Sequence, residues 1–146
     1  MNATTPAVQA FLDLYARGRS ALDLEVIASQ YPDSFTMAGP KGARTVDRGM
    51  VLTAFTNGQA FLKASGYTST RVLAIEEATL DQSYVQVRAQ FAWRFEKAPA
   101  QPIDVKVAST FVLHSGAGAL RIVFQLEHDD FQQAMQASGV LPAKPS

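Results

Sequence analysis

Along most of the first sixty positions apolar residues recur at helical spacing, broken by one short alternating stretch, and after that they alternate one by one with polar residues. In TTPAVQAFLDLYARG, Val8, Phe11, Leu12 and Tyr15 fall at i, i+3, i+4 and i+7, a single stripe on a helix. Thr4 or Thr5 is its expected N-cap, Pro6 its first helical residue and Gly18 its stop. Ser20 is expected to cap a second short helix, ALDLEVIASQY, ended by Pro32. In DSFTMAGPKGARTV, Phe35 and Met37 alternate with small or polar residues, and the Gly-Pro-Lys-Gly run at 39–42 marks the turn of a short hairpin. Met50, Val51, Ala54, Phe55, Gly58, Phe61 and Leu62 then return to helical spacing, with Gly66 as the end of a third helix.

From position 67 onward the pattern predicts sheet. One strand lies in YTSTRVLAIEEATL. In SYVQVRAQFAWRFEK, Val85, Val87, Ala89, Phe91, Trp93 and Phe95 share one face and Gln86, Arg88, Gln90 and Arg94 the other. APAQP is the next turn. In IDVKVASTFVLHS, Val105, Val107, Ser109, Phe111 and Leu113 lie on one side. The GAG run at 116–118 turns the chain into ALRIVFQLE, and DDFQQAMQASG closes it as a helix stopped at Gly139. The order predicts an α+β fold over a single domain, 1–146: a curved, mostly antiparallel sheet wrapped around three helices from the N-terminal half, enclosing a cone-shaped pocket, with a short C-terminal helix.

Composition narrows the function classes. The 146 residues are 47% hydrophobic and 18% charged, with Lys+Arg and Asp+Glu tied at 13 each. That balance argues against a nucleic-acid binder or a basic membrane-surface protein. The absence of cysteine excludes thiol nucleophiles, disulfides and cysteine-based zinc sites. No apolar run approaches the roughly 18 residues of a membrane span, and no leader pattern opens the chain, so the expected compartment is the cytoplasm.

Four stretches, VQAFLDLYARG, LEVIASQYPDSFTMAGP, VDRGMVLTAF and the strand pair joined by SGAG, resemble the nuclear-transport-factor-type superfamily. This superfamily includes ketosteroid isomerases, SnoaL-like polyketide cyclases, scytalone dehydratase and limonene epoxide hydrolase. The resemblance spans nearly the whole chain and implies the fold; none of the matching stretches is a catalytic signature. Ketosteroid isomerases carry a general-base aspartate before a proline at the end of the first strand, a first-helix tyrosine and a later-strand carboxylic acid. Here those places fall at Gly39, Phe11 and Ser109, and neither Gly39 nor Phe11 can perform the corresponding step.

The charged run of LEHDDF holds the remaining candidates. Neighbouring strand residues point to opposite faces, so Glu127, His128, Asp129 and Asp130 do not converge on one ion. The two histidines lack ligand spacing, and no metal or cofactor is expected. Asp129 is expected to cap the last helix, with Asp130 at its positive end, and His114 to face outward. Val123, Gln125 and Glu127 share one strand face; Ile122, Phe124 and Leu126 share the other. Either the second set faces the core and Glu127 faces water, or it faces a second copy of the chain while Gln125 and Glu127 face the pocket. The resemblance implies a dimer through the convex face of the sheet and favours the latter.

Pocket residues are then Phe11, Tyr15, Tyr31, Phe55, Phe91, Trp93, Ser109, Phe111, Val123 and Gln125, with Glu127 as the candidate acid or base. Three functional readings follow. The first is a protein that binds a small hydrophobic molecule without the isomerase residues. The second is an isomerase-, dehydratase- or cyclase-type enzyme using Glu127. The third is a homodimeric assembly module whose pocket is filled by its own side chains.

Overall fold

The computed structural model describes residues 4–97, 99–116 and 118–141. Two of the expected turns, APAQP and SGAG, therefore each contain one position, 98 and 117, outside the described residues, and the expected domain limits 1–146 also run beyond them. Thr5 caps α1 (Pro6–Ala21) by accepting from the Val8 amide. The helix does not stop at Gly18; it runs on to Ala21 and ends at Leu22, which adopts the left-handed conformation at φ 52°. Gly18 is there for packing. A Cβ at that position would lie 2.7 Å from Cγ1 of Val26, so its absence lets α2 (Leu24–Ser29) lie close against α1. Ser20 is not the cap of α2. Its hydroxyl bonds the Ala16 carbonyl at 2.8 Å and the Thr70 backbone, while Asp23 caps α2 by accepting from Val26.

The hairpin β1 (Ser34–Gly39) and β2 (Gly42–Asp47) precedes α3 (Arg48–Ala64), whose N-cap is Asp47. Then come β3 (Tyr67–Thr79), β4 (Tyr84–Phe95), β5 (Ile103–His114), β6 (Arg121–Glu127) and α4 (Phe131–Ala137). The six strands form one sheet in the order β2-β1-β6-β5-β4-β3. Every neighbouring pair is antiparallel except β1 and β6, where Met37 lies beside Gln125 and Ala38 beside Leu126 in parallel. The edge strands β2 and β3 do not meet, so the sheet curves without closing. Register shifts in β3, between Tyr67 and Ser69 and between Val72 and Ala74, mark where that strand bends.

The concave side holds the core. Tyr15 of α1 stacks on Phe91 at 5.1 Å between ring centres and meets Phe111 edge-on at 5.2 Å. Val87, Ala89, Val105 and Leu113, the inward positions of β4 and β5, are fully buried, as their alternation predicts. At the far end Phe131 of α4 packs on Trp93 at 4.9 Å, and Met135 is buried beneath. No helix among the described residues is long and apolar enough to cross a membrane.

The faces of β6 resolve in a way that simple alternation excludes. Val112 pairs with Phe124 but Leu113 pairs with Ile122, so Val123 is an extra, bulged residue with no partner across the ladder. The bulge shifts the phase of the strand by one. Ile122 is buried in the core, and Gln125, three residues on instead of two or four, is buried as well. The two alternatives posed by the sequence are therefore both incomplete. Ile122 parts company with Phe124 and Leu126, and it shares the concave side with Gln125 and Glu127.

Candidate functional site

Between α1, α3, α4 and the concave sheet lies a cavity of about 340 Å³. Tyr15, Tyr31, Phe55, Phe91, Trp93, Ser109, Gln125 and Glu127 all line it. Three residues expected there do not. Phe11 and Phe111 lie in the closed part of the core, 7% and 0% exposed, because the space opens only one helical turn beyond Phe11, at Tyr15. Val123 is displaced by its own bulge. Met37, Val51, Ala54, Val107 and Phe131 complete the apolar wall.

Two charged wall residues are also unanticipated, Asp129 at the mouth and Arg19 in the interior, the latter only 2% exposed. Arg19 sits on the α1 stripe two turns after Phe11 and one after Tyr15, and the extra turn beyond Gly18 carries it there. Its guanidinium carbon lies 3.3 Å from the centre of the Tyr15 ring and 5.2 Å from that of Phe55, a cation held between aromatic faces. An arginine on an otherwise apolar helical stripe is a signal the sequence does contain, and it goes unread when the helix is ended at Gly18.

A chain of hydrogen bonds crosses the cavity from Arg19. Nη2 donates to the Tyr31 hydroxyl at 2.9 Å, and that hydroxyl donates to Oε1 of Gln125 at 2.7 Å. Nε2 of Gln125 donates to Oε1 of Glu127, and Ser109 donates to the other carboxylate oxygen at 2.7 Å. Tyr31 and Gln125 are 1% and 4% exposed, so the relay is shielded from water along its middle. It joins a buried positive charge to a carboxylate through a phenol and an amide, each used as donor and acceptor at once.

Burial raises the pKa of the Tyr15 phenol well above the ordinary tyrosine value and raises that of Tyr31, with the Arg19 charge pulling partly back in both. Both hydroxyls therefore carry their protons at neutral pH. Burial also works against the Arg19 cation, but Tyr15, Tyr31 and Glu127 outweigh it and hold its pKa above the usual arginine value.

Glu127 stands where the cavity meets a wider, more open groove of about 800 Å³, bordered by the turn between β1 and β2 and by residues 127–130. The charged run around it divides as strand geometry requires. His128 pairs its Nε2 with the Thr110 hydroxyl at 2.6 Å. Asp129 is not the helix cap; its carboxylate accepts from the Ala108 amide at 2.9 Å, tying the end of β6 to β5. The cap is Asp130, one residue later, which accepts from Gln133 at 3.0 Å. His114 rests on Tyr84 with ring centres 4.6 Å apart and accepts from the Gly116 amide. Gly39 ends β1 beside the last residues of β6 and borders the same open groove as Glu127.

Comparison with known proteins places this geometry. A search of curated proteins gives no significant match. Among solved structures, an NTF2-like protein with a cystatin-like fold from Novosphingobium aromaticivorans is similar at TM-score 0.70 and 11% identity, over 84% of this chain and 79% of that one. The beta subunit of the benzoate 1,2-dioxygenase from Burkholderia mallei is similar at TM-score 0.68 and 14% identity, over 91% and 95%. A ketosteroid isomerase-like protein from Erwinia carotovora atroseptica is similar at TM-score 0.63 and 13% identity, over 88% and 97%. At these identities the likeness is one of fold. The family model described as NTF2-like protein (DUF6841) matches residues 5–130, from the cap of α1 to the cap of α4, and the chain belongs to that family.

Proposed function

We propose that the protein binds a small, largely apolar molecule in the cavity under α3. The observation that carries this reading is the cavity itself: about 340 Å³ of space walled by Tyr15, Phe55, Phe91, Trp93 and Phe131 around one buried polar chain. Concave apolar walls with a few placed polar groups are the usual design of a small-molecule site. An assembly module with a filled interior fits such a space less well. Thermal denaturation with a panel of one- to three-ring compounds, followed by Trp93 fluorescence, tests the reading. A ligand at ~100 times its dissociation constant adds about 2.7 kcal/mol of stability. A panel in which no compound shifts the transition overturns it.

The relay ending at Glu127 favours a second reading, in which the bound molecule also gives up a proton to that carboxylate, as in an isomerisation, dehydration or cyclisation. Ser109 and Gln125 hold both carboxylate oxygens in place, and the Arg19 cation stands at the other end of the relay. On a compound that is turned over, Glu127→Gln is expected to lower kcat by roughly 10²- to 10⁴-fold and leave the dissociation constant near its original value. Unchanged turnover removes Glu127 from the chemistry.

The pairing of two copies through the convex face belongs to the same proposal. Val112 and Phe124 face each other across the ladder there, with Leu126 next along, and none of the three is fully exposed. Sedimentation at micromolar concentration is expected to give the mass of a dimer. A monomer mass overturns this part and leaves the cavity proposal standing.

A further inference from the structure

We infer that the ligand carries a carboxylate and that Arg19 receives it, so that the cavity selects apolar acids over neutral molecules of the same shape. The inference rests on the binding proposal above and goes further by naming the chemical class. Its starting point is one atom. Among the described residues Nη1 of Arg19 is buried without a hydrogen-bond partner, although the residue forms part of the cavity wall. A buried guanidinium N–H left unpaired is costly, and here the group nearest to hand on the protein side is already spoken for: Nη2 uses the Tyr31 hydroxyl, and that hydroxyl spends its own proton on Gln125. The rings of Tyr15 and Phe55 cover the faces of the guanidinium but offer no acceptor in its plane. Nη1 itself has almost no exposed surface, so an oxygen entering the cavity completes the set when the edge of the guanidinium turns slightly towards it.

Charge decides what kind of oxygen. Arg19 is cationic and its direct hydrogen-bond partner is a neutral phenol, so an anionic acceptor gains far more there than a carbonyl does in the same low-dielectric surroundings. A dianion such as a phosphate monoester is disfavoured, because Glu127 and Asp129 line the same space and only one guanidinium answers them. A monoanionic carboxylate answers the guanidinium while adding the least negative charge to the space. With its head at Arg19, the apolar body of the ligand lies along Phe55, Phe91 and Trp93. Its far end then reaches Glu127, an acceptor, so a hydroxyl, an amine or an acidic C–H is the group best placed there.

The test compares acids with their amides on the intact protein. By calorimetry at pH 7.5, 2-naphthoate and phenylacetate are expected to bind about tenfold or more tightly than 2-naphthamide and phenylacetamide. Arg19→Gln is expected to abolish that preference. Because a variant at a buried position can fail to fold, a second readout uses the unaltered chain: the Arg19 side-chain N–H resonances in ¹⁵N spectra are expected to move on addition of 2-naphthoate. Equal affinity for acid and amide, a preference that survives Arg19→Gln, or binding of 2-naphthoate without movement of the Arg19 resonances each overturns the inference. If the amides bind as well as the acids, the cavity proposal stands and only the carboxylate assignment falls. If acids, amides and the wider apolar panel all fail to bind, both fall.

Discussion

Replacing Tyr31 by phenylalanine is expected to cost about 2–5 kcal/mol of stability, an unusually large effect for removing one oxygen. The ring can stay where it is, packed on Phe35 at 4.6 Å between centres, so no cavity of consequence opens. The loss comes from what the hydroxyl joins. It accepts from Arg19 and donates to Gln125, and both partners are buried, so its removal strands a charged donor and an amide oxygen together. Each stranded group costs about 1–3 kcal/mol, with the charged one towards the upper end. Urea denaturation with an unchanged slope and a lowered midpoint is the expected record. A cost below about 0.5 kcal/mol, the range of surface substitutions, would mean that Arg19 and Gln125 find other partners and that the relay is not a unit.

Gly66→Ala is expected to be at least as damaging, for a reason of backbone geometry. Gly66 follows α3 at φ +91°, outside the range L-residues take readily. A Cβ there would press on the Glu96 carbonyl, whose carbon would be only 2.9 Å away. Neither side can yield cheaply, because the Gly66 carbonyl also accepts the Glu96 amide at 2.8 Å and so locks the start of β3 to the end of β4. Left-handed strain of about 1–2 kcal/mol adds to overpacking of about 1–3 kcal/mol, giving an expected loss of about 2–5 kcal/mol. The measurement is again the denaturation midpoint. An alanine variant as stable as the original would show that the turn re-forms in another conformation.

How far the chain can be read without its structure differs from element to element, and the reasons are physical. The strands β4 and β5 are plain in the sequence because each buries one face against helices, and a two-residue period runs through β5 and through β4 as far as Phe91, with Ala92 buried out of phase. The short hairpin and α3 are equally plain, having Gly66 and the run at 39–42 as punctuation. The caps are less so. Ser20 and Asp129 have the right chemistry for caps, but both spend it across the fold, on Thr70 and on Ala108. Local propensity loses to a long-range partner that no local window contains.

Within the site, Tyr15, Tyr31, Ser109, Gln125 and Glu127 could be gathered from strand phase and helical spacing, together with the fold that the resemblance implies. Arg19 could not, because a helix stopped at Gly18 ends before it. A glycine that ends a helix and one that admits a neighbouring helix look alike in sequence, and only the 2.7 Å approach of Val26 tells them apart. The bulge at Val123 is likewise silent, because Ile122, Phe124 and Leu126 alternate as cleanly as an unbroken strand would.

That one unpaired residue gives β6 a division of labour. The segment before Val123 answers to the hydrophobic core through Ile122, and the segment after it answers to the cavity through Gln125 and Glu127. Without the extra residue the two demands would compete for one face of one strand, and core packing would dictate which side chains reach the cavity. With it they are independent. Substitutions at Glu127 can change the chemistry of the cavity mouth while Ile122 goes on sealing the same core, so the two ends of this strand can vary separately.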